Sequence, residues 1–128
     1  MTVIEDKENT PNAADEWHTD VTWIATPPKC ALLSMEVMPE RGGDTLWADM
    51  AAAYDCLDDA LKERIDGLRA VHDWWYSFGA MMTPEQRDAL RPDFPPTEHP
   101  VVRTHPETGR KTLYVNAAFT QHIVGMDR

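Results

Sequence analysis

Val101-Val102-Arg103-Thr104, His105-Pro106-Glu107-Thr108-Gly109-Arg110, Lys111-Thr112-Leu113-Tyr114-Val115: two β-prone runs flank a hexapeptide that holds a proline and a glycine. This is the pattern of a β-hairpin and its loop. Upstream, the proline-rich stretch 91–100 reads as a loop. Thr83-Pro84-Glu85-Gln86 opens a helix, with a capping hydroxyl, proline at the first helical position and glutamine three residues after the cap; the helix ends before Pro92. Arg69 to Phe78 has the aromatic density of a buried strand. Met50, Tyr54, Leu57, Leu61, Ile65 and Leu68 recur at spacings of three and four, which predicts helix over 49–66 with Gly67 as its stop. Asp58 can cap a fresh start there, so one helix or two short ones fit equally. Ala31 to Met38 alternates, with Leu33, Met35 and Val37 on one face, and reads as a strand with a buried side that Pro39 ends. Thr45-Leu46-Trp47 follows a glycine turn as the start of another strand, and residues 117–128 fit a helix or a loop.

The 128 residues suffice for one domain. Residues 1–16 are polar, acidic and aperiodic, and are expected to form a disordered leader. Lysine and arginine total 12 against 22 acidic residues, a formal charge of -10, with no basic cluster. A nucleic-acid partner is excluded on that balance, because phosphate backbones are held by dense Lys and Arg. No apolar run reaches a membrane span and no secretory signal opens the chain, so a cytoplasmic protein with no membrane partner is expected. Cys30 and Cys56 are expected to be reduced, buried and structural; two thiols are too few for a multi-cysteine zinc site.

The sharpest chemical feature is Trp17-His18-Thr19-Asp20. In an extended segment, side chains two apart point the same way, so an imidazole and a carboxylate can converge on one divalent metal. Mixed nitrogen and oxygen donors suit iron, manganese or zinc, and two histidines with one carboxylate leave three open positions on ferrous iron. A hydrogen-bonded pair at a strand end is the plainer alternative. Trp17, Val21 and Trp23 offer an apolar wall beside the pair. Thr45 and Trp47, behind Gly42-Gly43-Asp44, supply a hydroxyl and an indole, or simply two ordinary β-formers.

Trp17-His18-Thr19-Asp20-Val21-Thr22-Trp23, Thr26-Pro27-Pro28 and Gly43-Asp44-Thr45-Leu46-Trp47 resemble the taurine dioxygenase (TauD/TfdA-like) family of Fe(II)- and 2-oxoglutarate-dependent dioxygenases. The resemblance continues in order through Ala52-Ala53-Tyr54, Gly67-Leu68-Arg69-Ala70 with His72-Asp73, Ser77-Phe78, 99–106, and Leu113-Tyr114-Val115-Asn116 with Phe119-Thr120. It implies a mainly β fold with inserted helices, part of a double-stranded β-helix (jelly roll), over residues 17–128 as a domain truncated at both ends. By the same resemblance, His18 and Asp20 are metal ligands and Thr45 bonds the distal carboxylate of 2-oxoglutarate. Val21, Trp47, Phe78 and Phe119 stand in the substrate-binding region, Trp47 close to the iron.

The implied activity is hydroxylation of a small organic substrate, a sulfonate or sulfate ester, with Fe(II), 2-oxoglutarate and dioxygen. Ala14 replaces a family asparagine that helps hold a sulfonate, and Trp23 a phenylalanine, which argues against taurine itself. The family's second ligand histidine and its 2-oxoglutarate-binding arginine have no match in the sequence. His72 is expected to be buried and hydrogen-bonded, His99 and His105 to serve turn geometry, and His122 to be exposed. Other expectations to weigh are a noncatalytic fragment acting through another chain, self-association through exposed sheet edges, and a divalent-metal hydrolase.

Overall fold

The computed structural model describes residues 16–126. The acidic leader, Glu16 excepted, and Ala14 lie outside the described residues. In chain order the elements are α1 (Met50–Asp55), α2 (Asp59–Ile65), β1 (Arg69–His72), a 3-10 turn (Phe78–Met81), α3 (Pro84–Leu90), β2 (Thr97–Pro100), β3 (Val102–Thr104), β4 (Lys111–Leu113) and β5 (Thr120–Ile123). The architecture is mainly β with inserted helices, part of a jelly roll. Among the described residues no helix is long and apolar enough to cross a membrane.

β1 is the centre of a three-stranded antiparallel sheet ordered β2-β1-β5. Ala70 faces His99 on one side and Ile123 on the other, and a bulge between Val71 and His72 shifts the β5 register. Alternation along β1 buries Ala70 and His72. β3 and β4 form a separate hairpin, Val102 opposite Leu113 and Thr104 opposite Lys111. Between the sheets the chain bends at buried Val101, whose N–H donates to Leu68 O at 2.9 Å and whose carbonyl accepts from Tyr114 N at 2.8 Å. Val101, Ala70, Tyr54 and Ile65 form the core, with Leu57, Leu68, Leu113, Val115 and Ile123 packed against them. The helical periodicity of 49–66 thus serves to lay Tyr54 and Ile65 onto the sheet.

Local signals are realised where the chain meets itself nearby. Two helices form in place of one, because the Asp58 carboxylate accepts from Leu61 N at 2.7 Å and starts α2 afresh. Gly67, at φ 71, ends that helix in the left-handed region that glycine enters at no steric cost. Thr83 and Gln86 form a reciprocal capping box at α3. Thr83→Ala is expected to cost about 1 kcal/mol and lower Tm by roughly 4 °C, measured by calorimetry. An unchanged Tm would show that the box contributes nothing.

Several expectations are corrected. Residues 31–38 form no strand: Leu33, Met35 and Val37 are exposed like Leu32, and no described strand pairs with the segment. Alternation prepares a strand, but only a hydrogen-bonded neighbour and a surface to cover complete it. The same holds at 45–47, where Leu46 and Trp47 are exposed and no strand starts. The aromatic strand stops at His72, because Asp73 turns the chain: its carboxylate accepts from Trp75 N and takes a bidentate pair from Arg91 at 2.8 and 2.9 Å. The proline-rich loop ends early, at Pro96; β2 tolerates Pro100 because it is an outer strand at its last residue. Residues 120–123, read as helix or loop, are β5. Cys30 and Cys56 are free but exposed.

Candidate metal-binding site

The turn that carries His18 and Asp20 lies against the rim of the sheet. Trp17 to Thr19 has no regular structure, and residues 20–23 turn sharply. Val21 has φ 56, a left-handed conformation that costs a β-branched residue on the order of 1–3 kcal/mol. The reversal, rather than an extended strand, directs the two side chains. Thr22, the next residue, is fully buried.

His18 Nε2 and Asp20 Oδ1 stand 3.2 Å apart. The opposite ring nitrogen, Nδ1, is 2.7 Å from the Glu16 carbonyl, which can only accept, so Nδ1 carries the proton. That leaves the Nε2 lone pair facing a carboxylate when the imidazole is neutral. Two lone-pair donors converging in this way suit a shared cation, and a histidine whose far N–H rests on a backbone carbonyl is the usual outer support of a metal ligand. The pair is open to solvent, with side-chain exposures of 28% for His18 and 51% for Asp20, so as an ion pair it adds little stability.

An aromatic cluster backs the turn. The Phe119 ring meets His18 edge-on at 6.1 Å, Trp23 at 4.6 Å and Phe78 stacked at 5.8 Å; Trp23 also meets Phe78 at 5.3 Å. Among the residues singled out by sequence, the structure therefore groups His18, Asp20, Phe78, Phe119 and Trp23, with Val21 joined through the backbone. Thr45 and Trp47 are exposed, and among the described residues no hydrogen bond or ring contact links either to the pair. Nor does any group of three or more metal-binding side chains form among the described residues. A cavity of about 350 Å³ lies elsewhere, between α1 and the 105–110 loop, where Arg110 bridges Asp49 and Asp55.

Sequence reasoning missed the polar cluster beneath the turn. Thr22 Oγ1 is 2.9 Å from His72 Nδ1 and accepts from Asn116 Nδ2 at 3.4 Å. His72 is wholly buried, and burial, reinforced by the neighbouring His99, holds its imidazole down at about 4 against a weak opposing effect of the Tyr114 backbone. Among the described residues its Nε2 has no partner within hydrogen-bond geometry. His99 is a strand residue whose Nε2 donates to the Ile24 carbonyl at 3.0 Å, which corrects its reading as a turn histidine. His105 does serve a turn, accepting from Glu107 N and Thr108 N, and His122 is exposed. The available signal was Asn116-Ala117-Ala118-Phe119, a turn capped by its asparagine, whose Oδ1 accepts from Phe119 N, three residues on, at 2.8 Å.

A histidine and a carboxylate two residues apart amount to two of the three protein donors that a two-histidine, one-carboxylate iron centre requires. The chain belongs to the Taurine catabolism dioxygenase TauD, TfdA family, which it matches over residues 2–128. It is 41% identical over 122 residues to the alkylsulfatase of Acinetobacter baylyi, covering 90% of this chain and 38% of that protein. To the alpha-ketoglutarate-dependent sulfate ester dioxygenase of Pseudomonas putida it is 40% identical over 119 residues, covering 88% and 39%. The crystal structure of a taurine dioxygenase from Burkholderia xenovorans matches it with a TM-score of 0.72 at 38% identity, over 97% of this chain and 40% of that one. The chain thus spans about two fifths of the length of these relatives.

Proposed function

We propose that this chain supplies the His18 and Asp20 portion of the iron site of a dioxygenase that consumes 2-oxoglutarate (alpha-ketoglutarate) and dioxygen to hydroxylate a small sulfate ester or sulfonate. The observation that carries the reading is the convergence of Nε2 and Oδ1 at 3.2 Å with Nδ1 bound to a carbonyl. The names of the sulfate ester dioxygenase and the alkylsulfatase support the substrate class. Ferrous iron, when bound, supplies the oxidising chemistry. The chain's own part is to present two donors, and through Phe78, Phe119 and Val21 to keep the substrate side apolar and short of water; Trp47, exposed in this structure, is assigned to that side by the family resemblance alone. Thr45 has the hydroxyl to donate to the far carboxylate of 2-oxoglutarate. A second ligand histidine and an arginine for that co-substrate are to come from outside residues 1–128.

On this reading the partners are small molecules, with neither nucleic acid nor membrane, and the compartment is the cytoplasm; the charge of -10 supports the exclusion of nucleic acid. β2 and β5 are outer strands, which favours self-association by edge pairing. The exposed Leu32, Val37 and Leu46 favour a second reading, a noncatalytic fragment that acts only against another chain.

Succinate release separates the two. With ferrous iron, 2-oxoglutarate and an alkyl sulfate, residues 1–128 alone are expected to stay near background. Added polypeptide from the C-terminal part of the Pseudomonas putida dioxygenase is expected to raise succinate above it. Robust turnover by the chain alone would refute the need for outside ligands, and no succinate from the mixture would favour the noncatalytic reading.

A further inference from the structure

We propose that Thr22 is the positioning residue of the turn: its hydroxyl, locked between His72 and Asn116, keeps His18 and Asp20 aimed at one point. This rests on the reading of that pair as metal ligands. Three observations carry it. Thr22 is 1% exposed, whereas Asp20, two residues before it, has a half-exposed side chain, so the turn is anchored immediately beyond the donor it presents. Between them sits Val21 at φ 56, a conformation that relaxes unless both flanks are held. And both partners of the hydroxyl belong to rigid structure. His72 is the last residue of the central strand, and Asn116 is fixed at three atoms: its Oδ1 accepts from Phe119 N, its N–H donates to Thr120 Oγ1, and its carbonyl accepts from Thr120 N.

The hydrogen-bond inventory explains why a hydroxyl is needed there. Asn116 Nδ2 donates to Oγ1, which leaves the hydroxyl hydrogen available to His72 Nδ1. A side chain of the same shape without the oxygen strands a half-buried amide donor and a buried ring nitrogen together. The Asn116 turn also reaches the pair by a second route, since Phe119, at its other end, packs edge-on against the His18 imidazole. One short turn thus fixes the histidine ring directly and the carboxylate through Thr22. Neither Thr22 nor His72 nor Asn116 has a donor shared with His18 or Asp20, so their effect on a metal is indirect.

The test is Thr22→Val against Thr22→Ser in the full 128-residue chain, with two readouts. Mn(II) affinity, followed by electron paramagnetic resonance of the free ion, is expected to fall roughly 10–100-fold in Thr22→Val, the range for removal of outer support, and to change less than about twofold in Thr22→Ser. Without metal, the His18 ring proton shifts set by Phe119 are expected to move toward random-coil values in Thr22→Val only, while amide shifts of Ala70 and Val101 stay in place. Should the wild-type chain bind no Mn(II), the ligand reading fails and the ring shifts alone decide the positioning role. His18 shifts and Mn(II) affinity unchanged in a folded Thr22→Val chain would overturn the proposal. If Thr22→Val does not fold, Thr22→Ala takes its place with the same outcomes; failure of both while Thr22→Ser folds would make the hydroxyl a requirement of the whole fold and likewise overturn a role confined to the turn.

Discussion

Asp20→Ala is expected to abolish Mn(II) binding at the turn while leaving the fold and its Tm nearly unchanged. The two halves of this expectation have separate causes. The Asp20 side chain is half exposed and its partner is the His18 ring, so deletion forfeits a solvent-screened pair worth about 0–1 kcal/mol. For a divalent cation the change is of another order: the carboxylate is the only anionic donor of the pair, and a single neutral imidazole remains. In a turnover assay completed by added polypeptide, succinate formation should fall by more than the roughly 100-fold that loss of an outer-shell partner produces. His18→Ala should behave alike toward the metal, with a further small loss of packing against Phe119. Calorimetry and Mn(II) titration on the same sample separate stability from binding. Binding retained in Asp20→Ala would remove that carboxylate from the ligand set and leave the short distance to His18 as a surface hydrogen bond.

What the sequence revealed follows the range of the interactions involved. The hairpin and the Thr83 box are decided by residues within a dozen positions of one another and form as read, while the Asp58 cap, equally local, decides for two helices where the sequence left one or two open. The His-x-Asp pair is local in the same sense. The alternating run 31–38 is the opposite case: its pattern is sound, yet a strand is a property of two segments, and the described residues offer it no neighbour. β2 was hidden for the converse reason. Thr97-Glu98-His99-Pro100 has poor strand propensity and borrows its conformation from β1, to which Arg69 ties it through Glu98. The support of the candidate site was least legible, because Thr22 lies 50 residues from His72 and 94 from Asn116. No window of the sequence contains that cluster; only the sheet assembles it.

The buried end of the cluster gives the second large effect, a loss of stability in mild acid. His72 is wholly buried, and its imidazole is held down to about 4 from an ordinary 6.5, first by burial and then by the nearby His99. Between those values the unfolded chain binds a proton at this position that the folded chain refuses. Folding stability is therefore complete above pH 6.5 and declines as the pH falls toward 4, by on the order of 3 kcal/mol in all. The groups facing the ring are the Thr22 hydroxyl, His99 at 5.3 Å and Tyr114 at 5.8 Å, whose phenol burial raises and so keeps neutral across this window. Among the described residues, then, no carboxylate stands against the ring to compensate an imidazolium. Urea unfolding at pH 7.5, 6, 5 and 4 should show the decline in the wild type and a shallower one in His72→Gln, whatever the constant cost of that substitution; parallel pH profiles would sink the assignment. Because His72 Nδ1 meets the Thr22 hydroxyl, charging the ring also removes an acceptor from beneath the turn. The turn should therefore loosen only near pH 4, where the folded chain takes up the proton on His72, at the lower edge of the range over which stability declines, and the amide shifts of Val21 and Thr22 should report it.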